Sequence, residues 1–163
     1  MDQLTSVFAE TNQALLIDCR SLKFTSIPMM LNDVAVIICD SKVKHELATS
    51  AYNQRRTECE QAVELLKERK PGLKALRDLD IEDLHLIEGL PEPLQRRSRH
   101  VITENDRTVR GANALASGDF AALGELMRRS HRSLRDDYEV SCRELDLLVE
   151  LAGPAEALGG RMM

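Results

Sequence analysis

Arg135, Asp136, Asp137 and Glu139 place four acid and base groups within five positions of this chain of 163 residues. Adjacent carboxylates can coordinate a metal ion, but at a helix end they more often tie neighbouring helices together, and that use is expected here. His45, His85, His100 and His131 stand singly, which reads as surface or packing histidines. The clusters Arg96-Arg97-Arg99 and Arg128-Arg129-Arg132 read as solvated helix faces with acidic neighbours. Cys19, Cys39, Cys59 and Cys142 contain no C-x-x-C pair, and two of them sit inside apolar strand-like runs, as buried reduced thiols do. Neither a disulfide nor a zinc site is expected. Phosphate-binding G-x-x-x-x-G-K-(S/T), H-E-x-x-H and G-x-S-x-G are all absent, so residue types alone reach no further than a soluble α+β domain.

Composition narrows the partners. Hydrophobic residues make up 43% and charged residues 30%, a globular balance, while three Phe, two Tyr and no Trp leave little for a base-stacking or sugar-stacking platform. A net charge of -5 gives the whole chain no electrostatic reason to coat nucleic acid or an anionic membrane. The longest apolar run, at 34–39, is far short of the roughly 20 residues that span a bilayer, and no secretory signal opens the chain. A cytoplasmic location is expected.

Such side chains must be carried by elements, and the periods change along the chain. The runs at 14–17 (ALLI) and 34–39 (VAVIIC) read as buried strands, and 23–27, which alternates weakly before Pro28, as a short edge strand. From Ala48 an amphipathic helix runs through Ala51, Ala62, Val63, Leu65 and Leu66 to the stop at Pro71-Gly72, with Thr49 and Ser50 as candidate caps. A helical turn at 81–87 follows Asp78 to Asp80. Pro91 and Pro93 then open a second long helix to about Ala116, with Leu94, Val101, Ile102, Val109, Ala112 and Leu115 on one face. Ser117-Gly118-Asp119 ends it and starts a third, whose Leu123, Leu126, Met127, Leu134 and Tyr138 share a side. Ser141 is expected to cap a last helix ended by Gly153-Pro154. The fold class is α+β: a small, partly incomplete sheet with several long amphipathic helices.

Several segments resemble the galactokinases of the GHMP kinase superfamily. Met1-Asp2-Gln3 resembles the end of their G-I-M-D-Q segment, and residues 16–22 (LIDCRSL) their strand of that sequence. Asp40-Ser41-Lys42-Val43-Lys44-His45 is similar to the family's turn, and Tyr52-Asn53-Gln54-Arg55-Arg56 with Cys59-Glu60 to its Y-x-x-R-R-x-x-C-E helix start. Residues 99–105 (RHVITEN) and 133–142 (SLRDDYEVSC) complete a resemblance that covers nearly the whole chain in order.

The resemblance implies a fold like the GHMP kinase carboxy-terminal domain and the transfer of the γ-phosphate of ATP to the anomeric hydroxyl of galactose, with magnesium. It assigns Asp2 as catalytic base and Tyr52 as a hydrogen-bonding contact to the sugar, and no metal ligand. Galactose and ATP are the implied partners. The family's G-R-x-N-(I/L)-I-G-E-H-x-D-Y motif and its glycine- and serine-rich ATP loop do not occur in the chain, and its G-x-R-M-T-G-G-G-F-G-G-C segment is met only by Gly159-Gly160-Arg161-Met162-Met163. Residues 1–163 are therefore expected to be a carboxy-terminal region truncated at both ends and inactive alone. Two other readings stay open: a catalytically silent relative kept as a sugar-sensing or protein-binding module, and a helical adaptor.

Overall fold

The computed structural model describes residues 2–43 and 48–163, with side chains at 3–43 and 52–163. A short helix α1 (Asp2–Phe8) leads into strands β1 (Gln13–Ile17) and β2 (Phe24–Pro28), and helices α2 (Ala48–Leu66), α3 (Leu94–Ser117), α4 (Phe120–Asp136) and α5 (Arg143–Ala152) follow. Two 3-10 helices, Leu76–Asp78 and Ile81–Ile87, join α2 to α3.

The strands pair antiparallel, with Gln13 opposite Pro28 and Ile17 opposite Phe24, and the Phe8 ring rests on Phe24 at a centroid distance of 4.9 Å. Their connection is held by Asp18, whose carboxylate accepts from the Arg20 amide (3.0 Å) and the Ser21 hydroxyl (2.8 Å) and pairs with Arg77 (2.7 Å). These donors, the Arg20 amide foremost, hold the carboxyl far below its ordinary range. The Asp of the LIDCRSL segment thus serves the turn.

The strand expected at 34–39 does not form. A strand needs a hydrogen-bonded neighbour, and among the described residues the only sheet is the β1–β2 hairpin, so Val36, Ile37 and Ile38 are left 68%, 81% and 80% exposed. For the same reason Cys39 is exposed, as is Cys19 in the hairpin turn, which corrects the expectation of buried thiols. None of the four cysteines is in a disulfide.

The core lies where α2, the 3-10 helices and α3 meet: Ala62, Val63, Leu66, Leu73, Leu76, Leu79, Ile87, Leu90, Leu94 and Ile102 form one buried cluster. Asp80 caps the second 3-10 helix by accepting from the Glu82 amide at 2.9 Å. Among the described side chains the expected faces hold with two exceptions, Leu65 and Val109, which are exposed; Ala51 lies outside the described side chains. Thr49 and Ser50 lie outside the described side chains. Gly118, at φ 72°, ends α3 in the left-handed conformation and Asp119 caps α4 through the Ala122 amide at 2.9 Å. The helices then run antiparallel, since partners descend on α4 as they ascend on α3: His100 meets Ser133, Glu104 meets Ser130 and Gly111 meets Leu123. Tyr138 falls just beyond the end of α4. Cys142, not Ser141, occupies the position before α5, and the Ser141 hydroxyl instead donates to the Asp146 carboxylate at 2.5 Å.

Residues 158–163 lie along α4. The backbones of Gly124 and Leu158-Gly159 approach so closely that a Cβ on Gly124 would stand 2.0 Å from the Leu158 carbonyl oxygen. Gly→Ala inside a helix ordinarily gains about 1 kcal/mol of propensity. Here the clash decides the sign: Gly124→Ala is expected to release the tail, read as faster amide exchange and proteolysis at 158–163, and unchanged protection there would contradict the contact.

Candidate functional site

Tyr52 stands in the first half of α2 and is 69% exposed, with its phenol open to solvent. Asp2 opens α1, but its side chain lies outside the described residues, so the two predicted site residues are not brought together by the described atoms. Arg55 and Cys59, three and seven residues further along α2, are turned towards the segment after α4. Arg55 donates to Glu58 (2.9 Å) and, through Nε, to the Tyr138 carbonyl (2.6 Å), while Cys59 Sγ lies 3.8 Å from the Tyr138 hydroxyl.

This inward face meets the SLRDDYEVSC segment in a buried ion network. Arg97, expected on a solvated face, is only 1% exposed. It donates to Glu58 Oε2 at 2.7 Å, to Glu139 Oε2 at 2.5 Å and to the Asp137 carbonyl. Arg96 adds a second contact to Glu139 at 2.6 Å. The Arg97 and Arg96 guanidiniums hold the Glu139 carboxyl down at about 2. For Glu58 burial works the other way, yet the hydrogen bond from Arg97 leaves its carboxyl below the ordinary value. Glu139 and the Asp136 and Asp137 carbonyls therefore join α2 and α3 to the end of α4, as expected of an interhelix junction, while the Arg135 side chain pairs with the neighbouring Asp136 carboxylate. Sequence spacing could not single out Glu58 or Arg97, because 39 residues separate them.

His100 is buried beside that junction, its ring stacked on Tyr138 with centroids 4.4 Å apart and Nδ1 3.0 Å from the Ser133 hydroxyl. Burial lowers its pKa from 6.5 to about 4. A depressed value in the folded state means that protonation favours unfolding. The neutral ring's contribution is full above pH 6.5 and is lost as pH falls towards 4. An NMR titration of the His100 ring should show its midpoint near 4, and a midpoint at the ordinary 6.5 would mean a solvated ring. His131 is likewise buried and depressed by burial, and His85 is exposed with Nδ1 2.7 Å from the Glu82 carbonyl. These three fit surface and packing roles; His45 lies outside the described residues.

Two clefts flank α3. One, of about 250 Å³, lies between the hairpin and the α3–α4 pair and is lined by Leu15, Ile27, Leu123, Leu126, Glu104 and Arg161 among others. The second is a groove of about 370 Å³ along the α3–α4 seam, lined mostly by arginine and aspartate. Tyr52 lines neither. Among the described residues no group of three His, Cys, Asp or Glu side chains is placed to hold a metal ion, and no helix is long and apolar enough to cross a membrane.

Residues 112–163 match the family model described as GHMP kinases C terminal. The galactokinase of Roseiflexus sp. (strain RS-1) is 52% identical over 154 residues, 93% of this chain and 39% of that protein. That of Chloroflexus aurantiacus is 49% identical over 164 residues, all of this chain and 42% of the relative. Among solved structures, Lactococcus lactis galactokinase complexed with galactose superimposes with a TM-score of 0.84 at 35% identity, over 95% of this chain and 40% of that one. In sequence throughout and in fold, the chain belongs to the galactokinase family of GHMP kinases, and it spans about two fifths of the length of the relatives it matches.

Proposed function

We propose that these residues serve a galactokinase-type sugar kinase of the cytoplasm that transfers the γ-phosphate of ATP to the anomeric hydroxyl of galactose, giving galactose 1-phosphate and ADP. The observation that carries this reading is identity near one half sustained over the entire chain, and the galactose named with the Lactococcus lactis enzyme supports the substrate. In this reading the Asp2 carboxylate accepts the proton of the anomeric hydroxyl as its oxygen attacks the γ-phosphorus and the bond to ADP breaks. Tyr52 donates its phenol to a sugar hydroxyl and orients the ring. Magnesium would neutralise phosphate charge. Among the described residues no three His, Cys, Asp or Glu side chains converge on one point, and no step is assigned through it.

Because the family's sugar and nucleotide motifs are not among these 163 residues, residues 1–163 alone are expected to show negligible galactose-dependent ADP release. The codons before Met1 and after Met163 would show whether those motifs adjoin this chain. With the flanking segments restored, turnover should appear, and Asp2→Asn should lower kcat by about 10²- to 10⁴-fold. No ADP release from the restored protein would sink the assignment, and galactose binding without turnover would favour the silent sugar-sensing module.

A further inference from the structure

The groove along the α3–α4 seam has a charge pattern that its own ion pairs do not exhaust. Arg99, Thr103 and Arg107 follow one another at four-residue steps on α3, and Arg129, Arg132, Ser133 and Asp136 at three- and four-residue steps on α4, so each set forms one stripe facing the other. Asp137 completes the lining. Four guanidiniums thus face one space of about 370 Å³ in a chain whose overall charge is negative.

Three of the four carboxylates nearby, Glu104, Glu125 and Asp136, are shared with or held by an arginine outside the groove, so seven arginines and four carboxylates stand around it. Glu104, which meets Arg107 Nε at 2.8 Å, also meets Arg161 at 3.3 Å and accepts from the Ser130 hydroxyl at 2.6 Å. Glu125 approaches Arg132 at only 3.4 Å and is paired more closely with Arg128 at 3.0 Å. Asp136 is paired with Arg135 at 2.7 Å. Asp137 accepts from the Ser133 hydroxyl at 2.8 Å and lies 3.5 Å from Arg99. That leaves Arg129 with no ion pair or hydrogen bond among the described residues, and Arg107 Nη2 buried with no partner although the residue is only 9% exposed. A buried guanidinium nitrogen without an acceptor is costly, and native proteins seldom leave one so unless something else supplies the acceptor.

We propose that this groove is a binding site for a phosphate monoester, held as a dianion between Arg99 and Arg107 of α3 and Arg129 and Arg132 of α4. Guanidinium forks match tetrahedral phosphate oxygens in pairs, and the arginines around the groove outnumber the carboxylates that meet them. The volume leaves room for a small organic group attached to the phosphate. The proposal does not depend on the kinase reading, since none of its residues is Asp2 or Tyr52.

Calorimetric titration of the full chain with glucose 1-phosphate as probe, and with inorganic phosphate and malonate alongside, tests it. Saturable binding of glucose 1-phosphate is expected, with phosphate weaker and malonate weaker still. The double substitution Arg129→Ala and Arg132→Ala removes two exposed side chains and should weaken binding about ten- to hundredfold. Arg56→Ala, an exposed arginine on α2 paired with Glu60, should leave it unchanged. NMR of the arginine Nε protons in the unmodified chain gives an answer that needs no variant: Arg107 and Arg129 should shift on addition of the phosphate. No saturable binding at millimolar ligand, equal loss in the Arg56 variant, or malonate binding as tightly as glucose 1-phosphate would each overturn the proposal.

Discussion

Arg97→Ala is expected to destabilise the fold by about 3–5 kcal/mol, the cost typical of removing one partner from a buried ion pair. The reason is geometric. Arg97 is the one cation that touches Glu58 of α2, Glu139 and the Asp137 carbonyl at once. Without it the Glu58 carboxylate, 7% exposed, keeps only Arg55 at 2.9 Å and Gln54 at 2.9 Å. Urea unfolding followed by circular dichroism measures the loss, and a change under about 1 kcal/mol would show that the network is worth no more than a surface pair. The pH dependence gives a second, independent reading. Because the folded Glu139 carboxyl lies near 2 against an ordinary 4.5, its contribution is present above pH 4.5 and is lost as pH falls towards 2. Arg97 supplies the largest part of that depression, so the variant's stability should fall less steeply over this acid interval than that of the parent.

Leu66→Ala should cost about 2–5 kcal/mol, as buried leucines do when the cavity left behind cannot collapse. Leu66 is fully buried, in one cluster with Ala62 from the preceding turn of α2 and with Ile102 of α3. Two helices and the 3-10 segment between them share that cluster, so the cavity has walls fixed from several sides. The informative comparison is Ile37→Ala, which removes as large an apolar side chain from the 34–39 run. At 81% exposure it should change stability by no more than about 0.5 kcal/mol. A large effect there would mean that the segment packs as the strand its composition suggests.

The particular elements show where sequence reading succeeds. The three long helices carry their own signals: apolar residues at three- and four-residue steps, Gly118 where a left-handed stop is needed, and Asp119 to satisfy the first free amides of α4. The runs at 14–17 and 23–27 were legible as strands from their composition, while their pairing around a turn closed by Asp18 came from the structure. Each of the helix signals is settled by interactions a few residues long. The candidate site was legible only through resemblance, since neither an aspartate at position 2 nor a tyrosine on an exposed helix face carries a chemical signature in isolation.

What only the tertiary structure decided concerns partners distant along the chain. The 34–39 run has the composition of a strand, but a strand exists only when another backbone pairs with it. Arg97 and Arg129 belong to two equally basic clusters, yet one is buried against Glu58 and Glu139 while the other stands unpaired beside a groove. Local periodicity determined the helices, their order and their apolar faces, because helix formation is satisfied within four residues. The pairing of charges across the α2–α3–α4 junction and the opening of the arginine groove came from the antiparallel register of α3 on α4, since desolvation and Coulomb attraction act through space and leave no spacing in the sequence.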